Sequence, residues 1–192
     1  MLSEHQLVEA LQSLPTYSAE GTIYRVISVK LMNMALSAIG STIYGGRYNP
    51  RRSFETLYFS ESPITALLEV TGAAVTDSQL AGFRGPARIV LSIDFSLEQV
   101  LDLTNEQHQH ILDTNLQELL LPWRAKHLID GTIAATQFLG TAAHTLGTIQ
   151  ALRVPSVRDP KTSNLIVFPE RLKEPSFIRV YDDSGMINAK LP

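Results

Sequence analysis

The chain has 192 residues, of which 44% are hydrophobic and 18% charged, and its formal net charge is −3. This is enough apolar material for one domain with a sizeable core, and the acidic balance argues against general nucleic-acid binding, which needs a basic face. The absence of cysteine excludes disulfides, thiolate zinc sites and a cysteine nucleophile. No secretory signal and no apolar run of the ~18–20 residues needed to span a membrane is evident, so we expect a soluble cytoplasmic protein.

The N-terminal third predicts a helix, a strand and a second short helix. Ser3 and Gln6 have the spacing of a capping box, and Pro15 ends the helix that they begin. Residues 21–29 are rich in β-branched and aromatic side chains, which indicates a strand. Residues 31–40 predict a short helix, with the glycine at the last position as its stop.

A glycine- and arginine-rich loop, GGRYNPRR, follows at residues 45–52. A short strand is predicted over residues 55–60. A helix then runs over residues 62–75, with Ser62 as its N-cap and Pro63 as its first helical residue.

The rest of the chain predicts a strand over residues 87–96 and a mostly helical stretch over residues 105–140, broken at Pro122 and Gly131. Three more strands follow, over residues 147–156, 164–170 and 176–183. Strands and helices do not alternate as a doubly wound parallel sheet requires. We therefore expect a single α+β domain over residues 1–192, with a mixed or antiparallel sheet as its core and helices at its flanks.

Glu69 is the ionisable residue of a segment that is otherwise apolar or small, from Pro63 to Val75. Helical spacing places it in one stripe with Thr65, Gly72 and Thr76. The stripe is either the solvated face of an amphipathic helix or a place where small neighbours open a pocket for one carboxylate.

Two arginines and a tyrosine are further candidates for a binding site. Arg25 interrupts a strand-like run, so it lies on an exposed face or needs an anionic partner. Arg47 follows two glycines, and exposed amides beside a guanidinium group can hold a phosphate, although the loop matches no established phosphate-binding pattern. Tyr58 lies where a strand leads into the Glu69 helix and is either a core aromatic or a ring that stacks on a ligand.

Other reactive residue types carry weaker signals. His108 and His110 are two positions apart on a predicted helix and point to different faces, so we expect no metal site. Ser156 lacks the surrounding pattern of a hydrolase nucleophile. Three aromatic residues are assigned to the core: Trp123, Phe138 and Phe168.

Several segments, in chain order, carry a resemblance to a known family: YRV (24–26), GGRYN (45–49), LYFSESPITALLEV (57–70), TQFLG (136–140), LRVPSV (152–157) and NLIVFP (164–169). Together they resemble the RES family, named for an arginine, a glutamate and a serine, over a core of about residues 21–182. The three name-giving residues would be Arg25, Glu69 and Ser156. Tyr48 stands where the family more often has tryptophan, so an aromatic ring is retained.

The resemblance implies a fold similar to the ADP-ribosyltransferase toxins, with NAD as substrate and with no cofactor or metal. Family members are toxins of type II toxin–antitoxin pairs, neutralised by a helix-turn-helix antitoxin of the Xre type. Their activities are NAD degradation by hydrolysis or phosphorolysis, and ADP-ribosylation of a protein in some members. The resemblance therefore implies an NAD-cleaving enzyme that binds neither nucleic acid nor membrane directly and that assembles as a homodimer or with its antitoxin.

One carboxylate suits this chemistry, because nicotinamide departs as a neutral molecule and needs no general acid. By this resemblance Glu69 acts on the ribosyl centre, and Ser156 orients Glu69 or the nicotinamide amide. Arg25 and Arg47 hold the diphosphate, Tyr58 packs on the nicotinamide or its ribose, and the ring of Tyr48 completes the NAD site. Transfer of ADP-ribose to a protein, or a non-catalytic module that binds a nucleotide or a partner, are the alternatives.

Overall fold

The structure is a computed structural model that describes residues 2–71, 86–125 and 132–192. The strands are β1 (Tyr17–Ser28), β2 (Leu57–Ser60), β3 (Arg88–Asp102), β4 (Ala151–Pro155), β5 (Ser163–Val167), β6 (Phe177–Tyr181) and β7 (Lys190–Leu191). The α-helices are α1 (Glu4–Ser13), α2 (Ile39–Tyr44), α3 (Pro63–Thr71), α4 (Glu106–Ile111), α5 (Leu116–Leu120) and α6 (Ala135–Leu146). Short 3-10 helices cover Val29–Met34 and Pro169–Arg171.

The strands form one mixed sheet in the order β1-β2-β5-β4-β3-β6-β7. Strand β1 also pairs with β3 over most of its length, so five strands close a circuit. The pairing of β3 with β4 is parallel, and the other pairings are antiparallel. A mixed sheet with helices against it confirms the predicted α+β class.

The core lies on both faces of the sheet because alternate residues of a strand point to opposite sides. In β5, Leu165 and Val167 join one buried cluster with β1 and β3, whereas Ile166 joins a second cluster. Helices α1 and α6 cover this second cluster with apolar stripes that include Leu7 and Leu139, both 0% exposed. The predicted start of α1 is confirmed, since the Gln6 side chain accepts a hydrogen bond from the Ser3 backbone (3.1 Å).

The helix predicted over residues 31–40 is wrong in its position. A 3-10 helix ends at Met34, and α2 begins only at Ile39, so Gly40 lies inside a helix that it was expected to end. Gly45, with φ of 71°, ends α2 instead. The physical reason is a tertiary contact, in which the Arg25 guanidinium donates hydrogen bonds to the carbonyl groups of Ala35 and Ser37 between the two helices.

Each of the six predicted strands is present, but those for β1 and β3 are too short, and the other four extend beyond the observed strand at one end or both. Strand β1 begins before residue 21 and β3 extends past residue 96, because the two pair with each other along that extra length. The predicted first residue of the Glu69 helix, Pro63, is confirmed. The last predicted positions of that helix, like Gly72, Thr76 and Gly131, lie outside the described residues.

Candidate active site

A cavity of about 690 Å³ opens beside α3 on one face of the sheet. Its volume lies in the range of small-molecule sites. Among the described residues that line it, four carry positive charge and one carries negative charge. The charged lining consists of Arg25, Arg47, Arg124, Arg158 and Glu69. In an acidic chain this local excess of arginine favours an anionic ligand.

The floor of the cavity follows from the strand register. Tyr24 pairs with Ser60, Ser60 with Asn164, and Asn164 with Val154, so these four residues form a row across β1, β2, β5 and β4. All four line the cavity. The Ser60 hydroxyl donates to Oδ1 of Asn164 (2.7 Å), which fixes the amide and leaves its nitrogen as a donor.

Glu69 extends from α3 over this row. Its Oε1 accepts hydrogen bonds from Nδ2 of Asn164 and from the Ser156 hydroxyl, each at 2.8 Å. No hydrogen bond to Oε2 occurs within the described part of the chain. The carboxylate therefore lies in the cavity wall rather than on a solvated helix face, with one oxygen fixed and the other available to a ligand.

Ser156 is 1% exposed and follows directly after β4. Its hydroxyl donates to Glu69 and accepts from the backbone nitrogens of Arg158 (3.1 Å) and Asp159 (3.2 Å). Because the single hydroxyl proton is used on Glu69, the geometry suits a residue that orients the carboxylate and not one that attacks a substrate.

Helix α3 also holds the turn that carries Ser156. Thr65, one helical turn before Glu69 and 0% exposed, donates to Oδ2 of Asp159 (3.1 Å) and contacts the Thr162 hydroxyl (2.9 Å). Two positions on one face of the helix thus fix the same turn. The sequence placed Thr65 and Glu69 in one stripe, and both face this turn.

Arg25 lies in the cavity wall, where its guanidinium group braces a neighbouring segment. Nη1 donates to the carbonyl of Ala35 (2.9 Å) and Nη2 to that of Ser37 (3.0 Å). Burial lowers the pKa of Arg25 to about 10. The described hydrogen bonds use two of the five N–H groups of a guanidinium, so others remain for a ligand.

Arg47 also binds backbone carbonyls. Its Nη1 donates to Leu119 (3.0 Å) and Leu121 (2.6 Å), which ties the glycine-rich loop to the end of α5. Burial lowers the pKa of Arg47, nearby Tyr48, Glu69 and Tyr58 oppose that shift, and the charge of Arg158 adds to it.

Tyr58 and Tyr48 join this loop to the sheet. The Tyr58 hydroxyl accepts from the Tyr48 backbone nitrogen (3.0 Å) and donates to Oδ1 of Asn49 (2.7 Å). Burial raises the pKa of both tyrosines, so both remain protonated at neutral pH. A Cβ at Gly46 would lie 2.2 Å from the Tyr58 hydroxyl, so only glycine fits there. Both rings line the cavity.

The buried hydroxyl of Tyr48 has no hydrogen-bond partner within the described part of the chain. Its ring is 1% exposed and packs in the second core cluster, and its carbonyl lies 1.8 Å from where a Cβ of Gly140 would be. The close contact explains the glycine of the TQFLG segment. Tyr48 thus supports the cavity wall from behind as well as lining it.

The structure adds residues that the sequence did not single out. Asn164 and Ser60 are short polar side chains in strands, and only the register shows that they meet beneath Glu69. Trp123 is wrongly predicted as core, since it is half-buried in the cavity wall with the Arg124 guanidinium 4.7 Å from its ring centroid. Phe168 is buried as predicted, whereas Phe138 is 39% exposed.

Arg51 and Arg52, at the end of the glycine-rich loop, are exposed and lie outside the cavity lining. Over residues 2–71, 86–125 and 132–192, no group of three or more His, Cys, Asp or Glu side chains is arranged to hold a metal ion. In these same ranges no helix has the length and apolar character needed to cross a membrane.

Comparison with known proteins places the chain in a family. The RES domain model matches residues 22–185, which is most of the chain. In fold the chain is similar to a chain of the M. tuberculosis MbcT–MbcA toxin–antitoxin complex, with a TM-score of 0.69 and 23% identity over 92% of this chain and 90% of that one. The comparison with curated proteins gives no match. The protein therefore belongs to the RES domain family.

Proposed function

We propose that this protein is the toxin of a type II toxin–antitoxin pair and that it cleaves the nicotinamide–ribose bond of NAD. The observation that carries the proposal is Glu69, a single carboxylate held by Ser156 and Asn164 in a cavity lined by arginines. Membership of the RES family and the similarity in fold to a chain of a toxin–antitoxin complex support the toxin assignment.

The reaction matches a site with one carboxylate. The bond between the ribosyl carbon and the pyridinium nitrogen breaks, and its electron pair stays on nitrogen, so nicotinamide leaves neutral. No acid has to protonate the leaving group, unlike at an ordinary glycosidic bond. The Glu69 carboxylate stabilises the positive charge that develops on the ribose. Water or phosphate then forms the new carbon–oxygen bond, giving ADP-ribose and a proton in the first case and ADP-ribose phosphate in the second.

The remaining side chains bind and orient the substrate. Ser156 and Asn164 fix Oε1 of Glu69, which leaves Oε2 for the ribose or the incoming nucleophile. The ring of Tyr58, with Tyr48 behind it, packs on the nicotinamide or its ribose. Arginines of the lining, Arg25 and Arg47 among them, complement the two negative charges of the diphosphate.

The partner that we propose is an Xre-type helix-turn-helix antitoxin. It would bind the protein in the cytoplasm and prevent it from cleaving NAD. No cofactor or metal takes part, because the leaving group of NAD is already activated by its own positive charge.

The decisive experiment incubates purified protein with NAD, with and without phosphate, and identifies both products by mass spectrometry. We expect free nicotinamide, together with ADP-ribose or its phosphate, and loss of both with Glu69→Ala. Labelled NAD added to a cell lysate tests protein ADP-ribosylation in the same preparation. Saturable NAD binding without any release of nicotinamide would refute the enzyme and leave a nucleotide-binding module.

A further inference from the structure

The four arginines of the cavity differ in how their guanidinium groups are used. Arg25 and Arg47 each donate two hydrogen bonds to backbone carbonyls. The guanidinium of Arg124 lies over the ring of Trp123. The side chain of Arg158 is exposed, and within the described part of the chain it makes no hydrogen bond or ion pair. Arg158 therefore has its whole donor set available for a ligand.

The backbone of Arg158 is nevertheless firmly placed beside the catalytic carboxylate. Its amide nitrogen donates to the Ser156 hydroxyl, which itself donates to Glu69. The next residue, Asp159, is held by Thr65 of α3. The backbone from which the Arg158 side chain extends is thus linked to Glu69 through one residue, Ser156.

Arg158 shares its cavity with other cations. Arg158 and Arg47 line the same cavity, and the positive charge of Arg158 contributes to lowering the pKa of Arg47. An anion bound between them would relieve this repulsion. A guanidinium with free donors binds a phosphate oxygen pair in a bidentate manner, which gives both affinity and orientation.

We propose that Arg158 is a further residue that binds the diphosphate of the substrate with its free guanidinium group, whereas Arg25 and Arg47 use part of their donors to hold the cavity walls in place. This inference rests on the proposed NAD cleavage for the identity of the ligand. Its own content is narrower, namely a diphosphate site at Arg158, and it can be tested without turnover.

The first test is calorimetric titration with ADP-ribose, which carries the diphosphate and lacks nicotinamide. We expect Arg158→Gln to weaken binding about 10- to 100-fold, the effect of losing hydrogen bonds to a charged group. Lys161→Gln is the matched control, because Lys161 is in the same turn and outside the cavity lining, and it should bind as wild type does. Equal binding by Arg158→Gln and wild type, or no binding by wild type, overturns the proposal.

The second test separates binding from support of the turn. For NAD cleavage, Arg158→Gln should raise KM at least tenfold and leave kcat within about twofold, with partial recovery in Arg158→Lys. A fall in kcat at unchanged KM would show that Arg158 acts through Ser156 and would overturn the proposal. If ADP-ribose binds through Arg158 but nicotinamide is never released, the cleavage reaction fails and the diphosphate site stands.

Discussion

Two walls of the same cavity are built in opposite ways. In the carboxylate wall, made of Glu69, Ser156 and Asn164, side chains bind one another and leave one carboxylate oxygen without a hydrogen bond within the described residues. In the arginine wall, made of Arg25 and Arg47, side chains bind backbone carbonyl groups of other segments of the chain. Some polar residues of the cavity thus orient the Glu69 carboxylate, and others fix the backbone segments that form its walls.

This difference predicts two kinds of mutational effect. A change at Glu69 should reduce turnover with little loss of stability, since the hydrogen bonds to its carboxylate come from side chains, whereas a change at Ser156 also removes the acceptor of two backbone amides in its own turn. A change in the arginine wall should reduce stability and substrate binding together, because carbonyl groups lose a charged donor and the loops that shape the cavity move.

Glu69→Gln is expected to have the largest effect on turnover. The amide has the same shape and can still accept from Ser156 and Asn164, so the fold should be kept. The negative charge opposite the developing cation is lost, and we expect kcat for nicotinamide release to fall about 10²- to 10³-fold. Thermal unfolding should change by no more than a few degrees. A variant that unfolds early, or that retains wild-type kcat, would contradict the division between the walls.

Arg47→Ala should act mainly on the fold and on binding. It removes two hydrogen bonds from a charged donor to the carbonyls of Leu119 and Leu121, and we expect the free energy of unfolding to drop by about 2–3 kcal/mol. Urea unfolding measures this loss, and steady-state kinetics should show a raised KM for NAD. Arg51→Ala in the same loop is the control for NAD binding, since Arg51 is exposed, lies outside the lining and donates one hydrogen bond, to the carbonyl of Ile43. Kinetics equal to wild type would remove Arg47 from the site.

Two serines support Glu69 at different distances from its carboxylate. Ser156 donates directly to Glu69, whereas Ser60 acts one residue further away, through Asn164. We expect Ser156→Ala to lower kcat about tenfold and Ser60→Ala to lower it no more than about threefold. Kinetics of the two variants side by side check the order. A larger effect at Ser60 would show that Asn164, not Ser156, fixes the carboxylate.

The sequence predicts the carboxylate wall better than the arginine wall, for a physical reason. A lone glutamate in an apolar helix is unusual at the level of local pattern, and Ser156 and Arg25 are identified with it through the RES resemblance. What Arg25 and Arg47 bind depends on which carbonyl groups the fold brings near them, and no local pattern encodes this. The same contact of Arg25 explains why the helix predicted over residues 31–40 is misplaced.

Asn164 and Trp123 show the two limits of local patterns. Asn164 contacts Glu69 because β2, β5 and β4 pair in one particular register, and a shift of one residue would turn its side chain to the other face. Trp123 is of a residue type that is typical of a core. Only the packing around the cavity exposes one face of its ring, over which the Arg124 guanidinium lies. Predicting either residue requires strand pairing and tertiary packing together.

Thr65 gives the smallest expected effect, because it belongs to α3 as Glu69 does but its hydroxyl binds the turn that follows Ser156. Thr65→Val keeps the shape and removes the hydroxyl that binds Asp159 and Thr162. We expect the free energy of unfolding to fall by about 1 kcal/mol, with a two- to threefold lower kcat and an unchanged KM. Thr65→Ser should restore kcat, since it keeps the hydroxyl. If kcat stays low in the serine variant, packing of the methyl group and not the hydrogen bond positions the turn.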